Sequence, residues 1–312
     1  MHWQTGIPNA RVAQGWGGKI ADLLSVNNNA YNDIALNISL SGTNVFQTGD
    51  STVEYALDAE RGSIGISGYG GSWILDQMKT QKVNNMIDHN YQDMFKQAYV
   101  DPVASGVRGD IKFTEALNNT PPLNTNFTYH DDGWQRIGQS FEMIARTIAA
   151  RDQIGVDRQI FFLDFGGWDH HDYLLDQHPT MLGRLDQSLM DFNNAMKELG
   201  LQDCVTTFCL SEFSRTLTSN GDGSDHAWGG NVFMMGGAVN GRKIYGNYPS
   251  LVLDNPLEVG GGSLIPTTSC DEYFAELAMW FGVPNSDLTL LYPNLGNFYT
   301  VGSGNPIGFM HL

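Results

Sequence analysis

Two apolar runs joined by one amphipathic helix constrain the fold of this chain more than any other feature. The first run is Gln159-Ile160-Phe161-Phe162-Leu163-Asp164-Phe165, and it leads into Gly166-Gly167-Trp168-Asp169-His170-His171-Asp172. The second is Cys204-Val205-Thr206-Thr207-Phe208-Cys209-Leu210, and it leads into Ser211-Glu212-Phe213-Ser214-Arg215-Thr216. Strand, crossover helix and strand make a βαβ unit, which requires the two strands to run parallel. Ligands of open parallel sheets bind beyond the carboxyl ends of the strands. Both acid-bearing motifs are therefore expected at one sheet edge. The glycine loop Gly223-Ser224-Asp225-His226-Ala227-Trp228-Gly229-Gly230 follows soon after and adds another acid and imidazole. Carboxylates with neutral imidazoles are a ligand set for a divalent metal.

With 312 residues, 41% of them hydrophobic, the chain can bury a substantial core. We expect an α/β fold, a three-layer sandwich around a mostly parallel central sheet. One domain is expected to span residues 1–312, with a variable insertion or lobe at about 40–130. A net charge of −17 and a pI near 4.6 argue against a nucleic-acid or anionic-membrane partner, because phosphate binding needs clustered Lys and Arg. No apolar run reaches the roughly 18 residues of a membrane span. Cys204, Cys209 and Cys270 form no disulfide framework. Cys204 and Cys209 are expected on opposite faces of one strand, as small buried residues.

Along the chain, residues 34–40 alternate as a half-buried strand does, and Val45-Phe46 and 63–66 are short strand candidates. Residues 73–100 read as a helix, and the Asn- and Pro-containing stretch 101–132 reads as a loop. Asp131-Asp132 can cap a helix from about 133 to 152. Pro179 is placed to open a helix ending near Leu199. Residues 231–236 form a further strand, and Thr268 or Ser269 caps a last helix from Asp271 to Phe281.

Asp169 and His171 follow a Gly-Gly turn that lets backbone approach a ligand closely. Alternatively Asp169 caps a turn and His171 is solvated. His170 and His171 are adjacent and point differently, so both need not coordinate. Glu212 either binds metal or pairs with Arg215, and Arg215 is suited to gripping an anionic substrate bidentately. Asp225-His226 is either a ligand pair or an Asx turn. Asp172 and His178 read as solvated groups at a helix entry. Ser211 lacks the Gly-x-Ser-x-Gly elbow of a nucleophile. Trp16, Trp168 and Trp228 stack on a sugar or pack loops onto the core, the commoner use.

Several stretches together resemble a bacterial family, domain of unknown function 1501. They are Trp3-Gln4-Thr5-Gly6, Gly15-Trp16-Gly17-Gly18-Lys19-Ile20-Ala21-Asp22, Gly166-Gly167-Trp168-Asp169 with His171, and residues 211–216 and 220–230. Met235-Gly236-Gly237-Ala238-Val239, Ile265-Pro266-Thr267-Thr268-Ser269, Trp280-Phe281-Gly282-Val283-Pro284 and Pro293-Asn294-Leu295 complete the set.

That family is in turn similar to the alkaline phosphatase and sulfatase superfamily. The resemblance implies an alkaline-phosphatase-like sheet and a metal-dependent hydrolase of phosphate or sulfate esters, acting on a small-molecule or glycan ester. Asp169, His171 and His226 match the ligands of one metal, with Asp225 beside them, and Glu212 matches the acid of a second. The ion would be Zn, Mn, Mg or Ca, with Arg215 as the catalytic cation. The superfamily follows the second acid with His where this chain has Phe213, and its Asp-to-His spacing is longer than that of 169 and 171. Family members begin with a twin-arginine export leader, a strand ending in Gly-Gly-x-Asp and a Ser-His motif that includes a possible nucleophile. The chain is expected to lack that front segment and to be periplasmic or extracellular. A rival expectation is an inactive exported binding or structural module on the same scaffold.

Overall fold

The computed structural model describes residues 2–28, 34–131, 133 and 136–312. Its strands are β1 Asn37–Ser39, β2 Tyr55–Asp58, β3 Gly62–Ser63, β4 Ile160–Phe162, β5 Thr206–Phe208, β6 Ser214–Ser219, β7 Ser224–Ala227 and β8 Met234–Gly236. Its helices are α1 His2–Thr5, α2 Trp16–Asn28, α3 Ile74–Ile87, α4 Met94–Asn119, α5 Ile137–Ala149, α6 Arg151–Ile154, α7 Leu174–Glu198, α8 Cys270–Phe281 and α9 Leu288–Leu291. The fold is mixed α/β with a partly parallel sheet in the order β3-β2-β1-β4, where β1 runs parallel to both β2 and β4.

The expectation that residues 159–165 and 204–210 run parallel in one central sheet is corrected. β5 pairs antiparallel with β8 in a separate two-stranded sheet. The reason lies in which main-chain groups are used. Ile160 and Phe162 direct theirs to β1, as Ile160 N–H donates to Leu36 C=O and Leu40 N–H to Phe162 C=O, both at 2.9 Å. Alternate residues face opposite edges, so Phe161 and Leu163 turn to the other side, where no strand pairs with β4 among the described residues. β5 likewise turns Thr207 to Met235, and Cys209 N–H donates to Phe233 C=O at 3.1 Å.

Side-chain packing nonetheless relates β4 and β5. Ile160, Phe162 and Phe208 all border the core built on Trp16, Phe274, Tyr292 and Phe309. Phe161, Leu163 and Val205 border the core between α5 and α7, around Ile144, Ile148, Phe192 and Met196. Trp16 is the hub of the first core, with ring centroids 4.7 Å from Phe46, 4.9 Å from Phe274 and 6.1 Å from Phe208.

Several element boundaries differ from those expected. Residues 73–100 divide into α3 and α4, because Asp93 accepts from the N–H groups of Phe95 and Lys96 and starts a new helix. The expected loop at 101–132 is instead mostly α4, which carries Pro102 inside it. Val100, Ala104, Val107, Phe113 and Ala116 are buried on one face of it, and that burial outweighs the polar composition. The α5 helix begins at Ile137, after Arg136 in a left-handed turn with φ 48°. Its proposed cap falls partly on Asp132, outside the described residues. α7 starts at Leu174, before Pro179, because Asp222 caps it from a distant loop: Tyr173 N–H donates to the Asp222 carboxylate at 3.0 Å and Leu174 N–H to its carbonyl at 3.1 Å. Cys204 is exposed in a 3₁₀ turn, Gln202–Cys204, and Val45-Phe46 lies in a turn. Ser269 caps α8 with a full capping box through Glu272.

Residues 120–128 lie along α7 and are held by its carboxylates. Glu198 accepts from Asn124 N–H at 2.7 Å and Thr125 N–H at 2.8 Å, and from both of their side chains. The Asn124 main-chain N–H, then the Thr125 hydroxyl, pull the Glu198 carboxyl from 4.5 down to about 2. A depressed folded-state value means this contribution to stability is complete above about pH 4.5 and is lost as pH falls toward 2. NMR titration of Glu198 should place its midpoint near 2. Glu198→Gln should flatten the melting temperature's pH dependence across that window. A midpoint at the ordinary glutamate value would contradict this anchoring.

Candidate metal centre

The loop after β4 turns twice in quick succession. Gly167 takes φ 92°, a conformation suited to glycine. His170 N–H then donates to Trp168 C=O at 2.9 Å and His171 N–H to Asp169 C=O at 3.0 Å. Hydrogen bonds two residues apart mark tight γ-type turns. The loop thereby separates its side chains. His170 is buried against Trp168 and His178, with centroids at 6.4 and 5.7 Å, whereas Asp169 and His171 face outward. Burial, then the nearby His178 and Arg215, push the His170 imidazole below its usual range.

The second half of the site is the β6–β7 hairpin. Its turn contains Asn220-Gly221-Asp222-Gly223, and glycine-rich Asn and Asp pairs favour such reversals. In the antiparallel register Arg215 stands opposite His226, so the two side chains project from the same face. The hairpin presses directly on the first loop: Ser224 N–H donates to His170 C=O at 3.4 Å, and the Asn220 amide donates to His171 C=O at 3.1 Å.

This docking brings Asp169, His171 and His226 together, with their ligand atoms within 4.8 Å of one another. Asp169 Oδ1 lies 2.7 Å from His226 Nε2, 3.1 Å from His171 Nε2 and 2.9 Å from Arg215 Nη2. The two Nε2 atoms are 3.2 Å apart. The His226 hydrogen bond above all holds the Asp169 carboxyl below its usual range against the opposing pull of desolvation, helped by Arg215 and the charges of His171 and His226. Arg215 also donates to Trp168 C=O at 2.8 Å and Ser224 C=O at 2.5 Å, so it ties the hairpin to the loop. Phe213 stacks on His226 at 3.9 Å and 5°, and its ring faces the Arg215 guanidinium at 5.0 Å.

The remaining expected residues lie around this group. Glu212 is not one of the three; it accepts from Trp3 Nε1 at 2.9 Å. Burial, then Glu212, raise the Asp164 carboxyl, so the acids that end β4 and β5 are electrostatic neighbours even though the strands are not hydrogen-bonded. Arg215 pairs with Asp169 rather than with Glu212. Asp225 faces the outer nitrogen of His171, Nδ1, at 3.4 Å. His178 packs against Trp168 instead of being a solvated entry group. Trp16 is core, Trp168 packs on Phe165, and Trp228 is exposed. Reading the residues alone overlooked Asn220 and Asp222, although their Asn-Gly-Asp-Gly run signals a hairpin between two strand-like segments.

One carboxylate oxygen and two imidazole nitrogens are a ligand set that could hold a divalent metal. A tetrahedral ion with bonds of about 2.0–2.1 Å spaces its ligand atoms roughly 3.3 Å apart. The His–His spacing of 3.2 Å and the Asp169–His171 spacing of 3.1 Å already fit, and the Asp169–His226 contact of 2.7 Å must open by some tenths of an ångström.

Gly223 makes the docking possible. A Cβ there would lie 2.3 Å from His170 O and 2.5 Å from His171 C and O, all main-chain atoms that cannot swing aside. Gly223→Ala should therefore destabilise the fold by about 1–3 kcal/mol and shift the His171 backbone resonances. Urea unfolding checks the first effect, and an unchanged midpoint would show that the two segments are not in this contact.

Residues 76–260, more than half of the chain and including the three clustered residues, match the family described as protein of unknown function (DUF1501). No curated protein and no solved structure matches the chain. The stretch from α3 through the β6–β7 hairpin and β8 carries the family's pattern, and the chain belongs to the DUF1501 family.

Proposed function

We propose that this protein is a metal-dependent hydrolase of phosphate or sulfate esters, built on an alkaline-phosphatase-like three-layer scaffold and working outside the cytoplasm. The observation that carries this reading is the convergence of Asp169, His171 and His226 from two separate segments, with ligand atoms within 4.8 Å of one another. The imidazoles favour Zn over Mn, Mg or Ca. A bound ion would polarise the ester oxygen as a Lewis acid. The chain's own residues do the rest. Asp169, His171 and His226 hold the ion, and Arg215 keeps Asp169 in place while setting a positive charge beside the developing oxyanion. Glu212, whose charge helps raise the Asp164 carboxyl, is the acid that a second ion would take.

One observation favours a second reading, a non-catalytic module. Asp169 Oδ1 already lies within hydrogen-bonding distance of His171, His226 and Arg215, which amounts to a self-sufficient polar cluster. Elemental analysis of protein prepared without chelator separates the two. The hydrolase reading expects about one metal per chain and turnover of aryl phosphates or sulfates. Asp169→Ala and His226→Ala should each lower that turnover by at least about 100-fold, since even outer partners of metal ligands cost 10–100-fold. Metal-free protein, or turnover untouched by both substitutions, would reject this site.

A further inference from the structure

We propose that Asp225 is a positioning residue for His171, one that fixes the imidazole as its Nδ1–H tautomer and leaves the Nε2 lone pair free for a metal. This deepens the metal reading above and rests on it. Three observations carry it.

The ring of His171 has a defined inner and outer nitrogen. Nε2 lies 3.1 Å from Asp169 Oδ1 and 3.2 Å from His226 Nε2, so Nε2 belongs to the cluster. Nδ1 faces away from that cluster toward Asp225 Oδ1 at 3.4 Å. Asp225 is also absent from the set of groups whose ligand atoms all lie within 4.8 Å of one another. A neutral imidazole carries one proton, and whichever nitrogen bears it cannot bind a metal. An anionic acceptor at Nδ1 draws the proton there, and carboxylate–histidine–metal chains work in this way.

The carboxylate is also held in place. Asn220 Nδ2 donates to Asp225 Oδ1 at 3.4 Å and to His171 C=O at 3.1 Å. The amide cannot be reversed without loss, because its Oδ1 accepts from Gly223 N–H at 2.9 Å. Asp225 N–H donates to Thr216 Oγ1 at 3.2 Å, which ties the residue to the neighbouring strand. Asn220 thus steadies the carboxylate that faces the outer nitrogen of His171. His226 has a different support, the parallel face of Phe213 at 3.9 Å. Beyond the shared cluster, the two imidazoles have different neighbours: a carboxylate at Nδ1 of His171 and the Phe213 ring on His226.

The test pairs zinc affinity with tautomer state, using zinc chloride in competition with a chromophoric chelator. Asp225→Ala should weaken zinc binding by about 10–100-fold while its near-UV circular dichroism remains that of the parent. Asp225→Asn keeps an acceptor oxygen, so it should lose less than Asp225→Ala. Long-range ¹H–¹⁵N spectra of the zinc-loaded parent protein should show His171 protonated at Nδ1 and zinc-shifted at Nε2, a signature that needs no variant to fold. Zinc affinity within twofold in Asp225→Ala, or a His171 proton on Nε2 in the zinc-loaded parent, would overturn this role and leave the metal site standing. No zinc uptake by the parent that depends on His171 would overturn both.

Discussion

The Arg215 guanidinium joins the two segments from which the site is made, and the rest of the site depends on that junction. It donates to Ser224 C=O within its own hairpin and reaches across to Trp168 C=O and the Asp169 carboxylate on the loop after β4. A lysine could not make these contacts from one planar, forked head. In a chain of net charge −17, a cation among Asp169, Asp225 and two imidazoles also offsets repulsion that would otherwise spread the loop. The junction works only because Gly223 lets main chain meet main chain beside it. Phe213 then supports both partners, with one ring lying against His226 and facing Arg215.

The site was more legible in the sequence than the sheet that carries it. Asp169, His171, Arg215 and His226 could be picked out because acids and imidazoles beside glycines, just beyond apolar strands, are local patterns. Their meeting was argued from a shared parallel sheet, and the hydrogen bonding does not follow that route. β4 takes β1 as its neighbour and β5 takes β8. Strand partners are chosen by contacts far apart in sequence, and alternation of apolar residues says that a strand exists but not what lies beside it. The two segments are still related through packing, because Ile160, Phe162 and Phe208 border one core and Phe161, Leu163 and Val205 the other.

The same limit applies to the helices. Ser269 and Glu272 cap α8 within four residues of chain, and that start was readable. The start of α7 is set by Asp222, 48 or more residues away in the hairpin, and Pro179 inside the helix pointed to a later start. α4 runs through Pro102 with Val100 and Ala104 buried on either side of it, and farther on its Phe113 and Ala116 join the core of Ile38, Leu57 and Met143. These are tertiary decisions that override local propensity. One consequence joins fold to site: the hairpin that supplies His226 also supplies the cap of α7, so the helix linking β4 to β5 and the cluster are stabilised by one docking event.

The central claim is that Asp169, His171 and His226 together hold one ion. X-ray absorption at the zinc edge of the zinc-loaded protein tests it most directly. The account predicts stoichiometric zinc with a first shell of nitrogen and oxygen at about 2.0–2.1 Å and the multiple-scattering signature of two imidazoles. His226→Ala should reduce that signature to one imidazole. A shell without imidazole, or one unchanged by the loss of His226, would place the metal elsewhere and contradict the account.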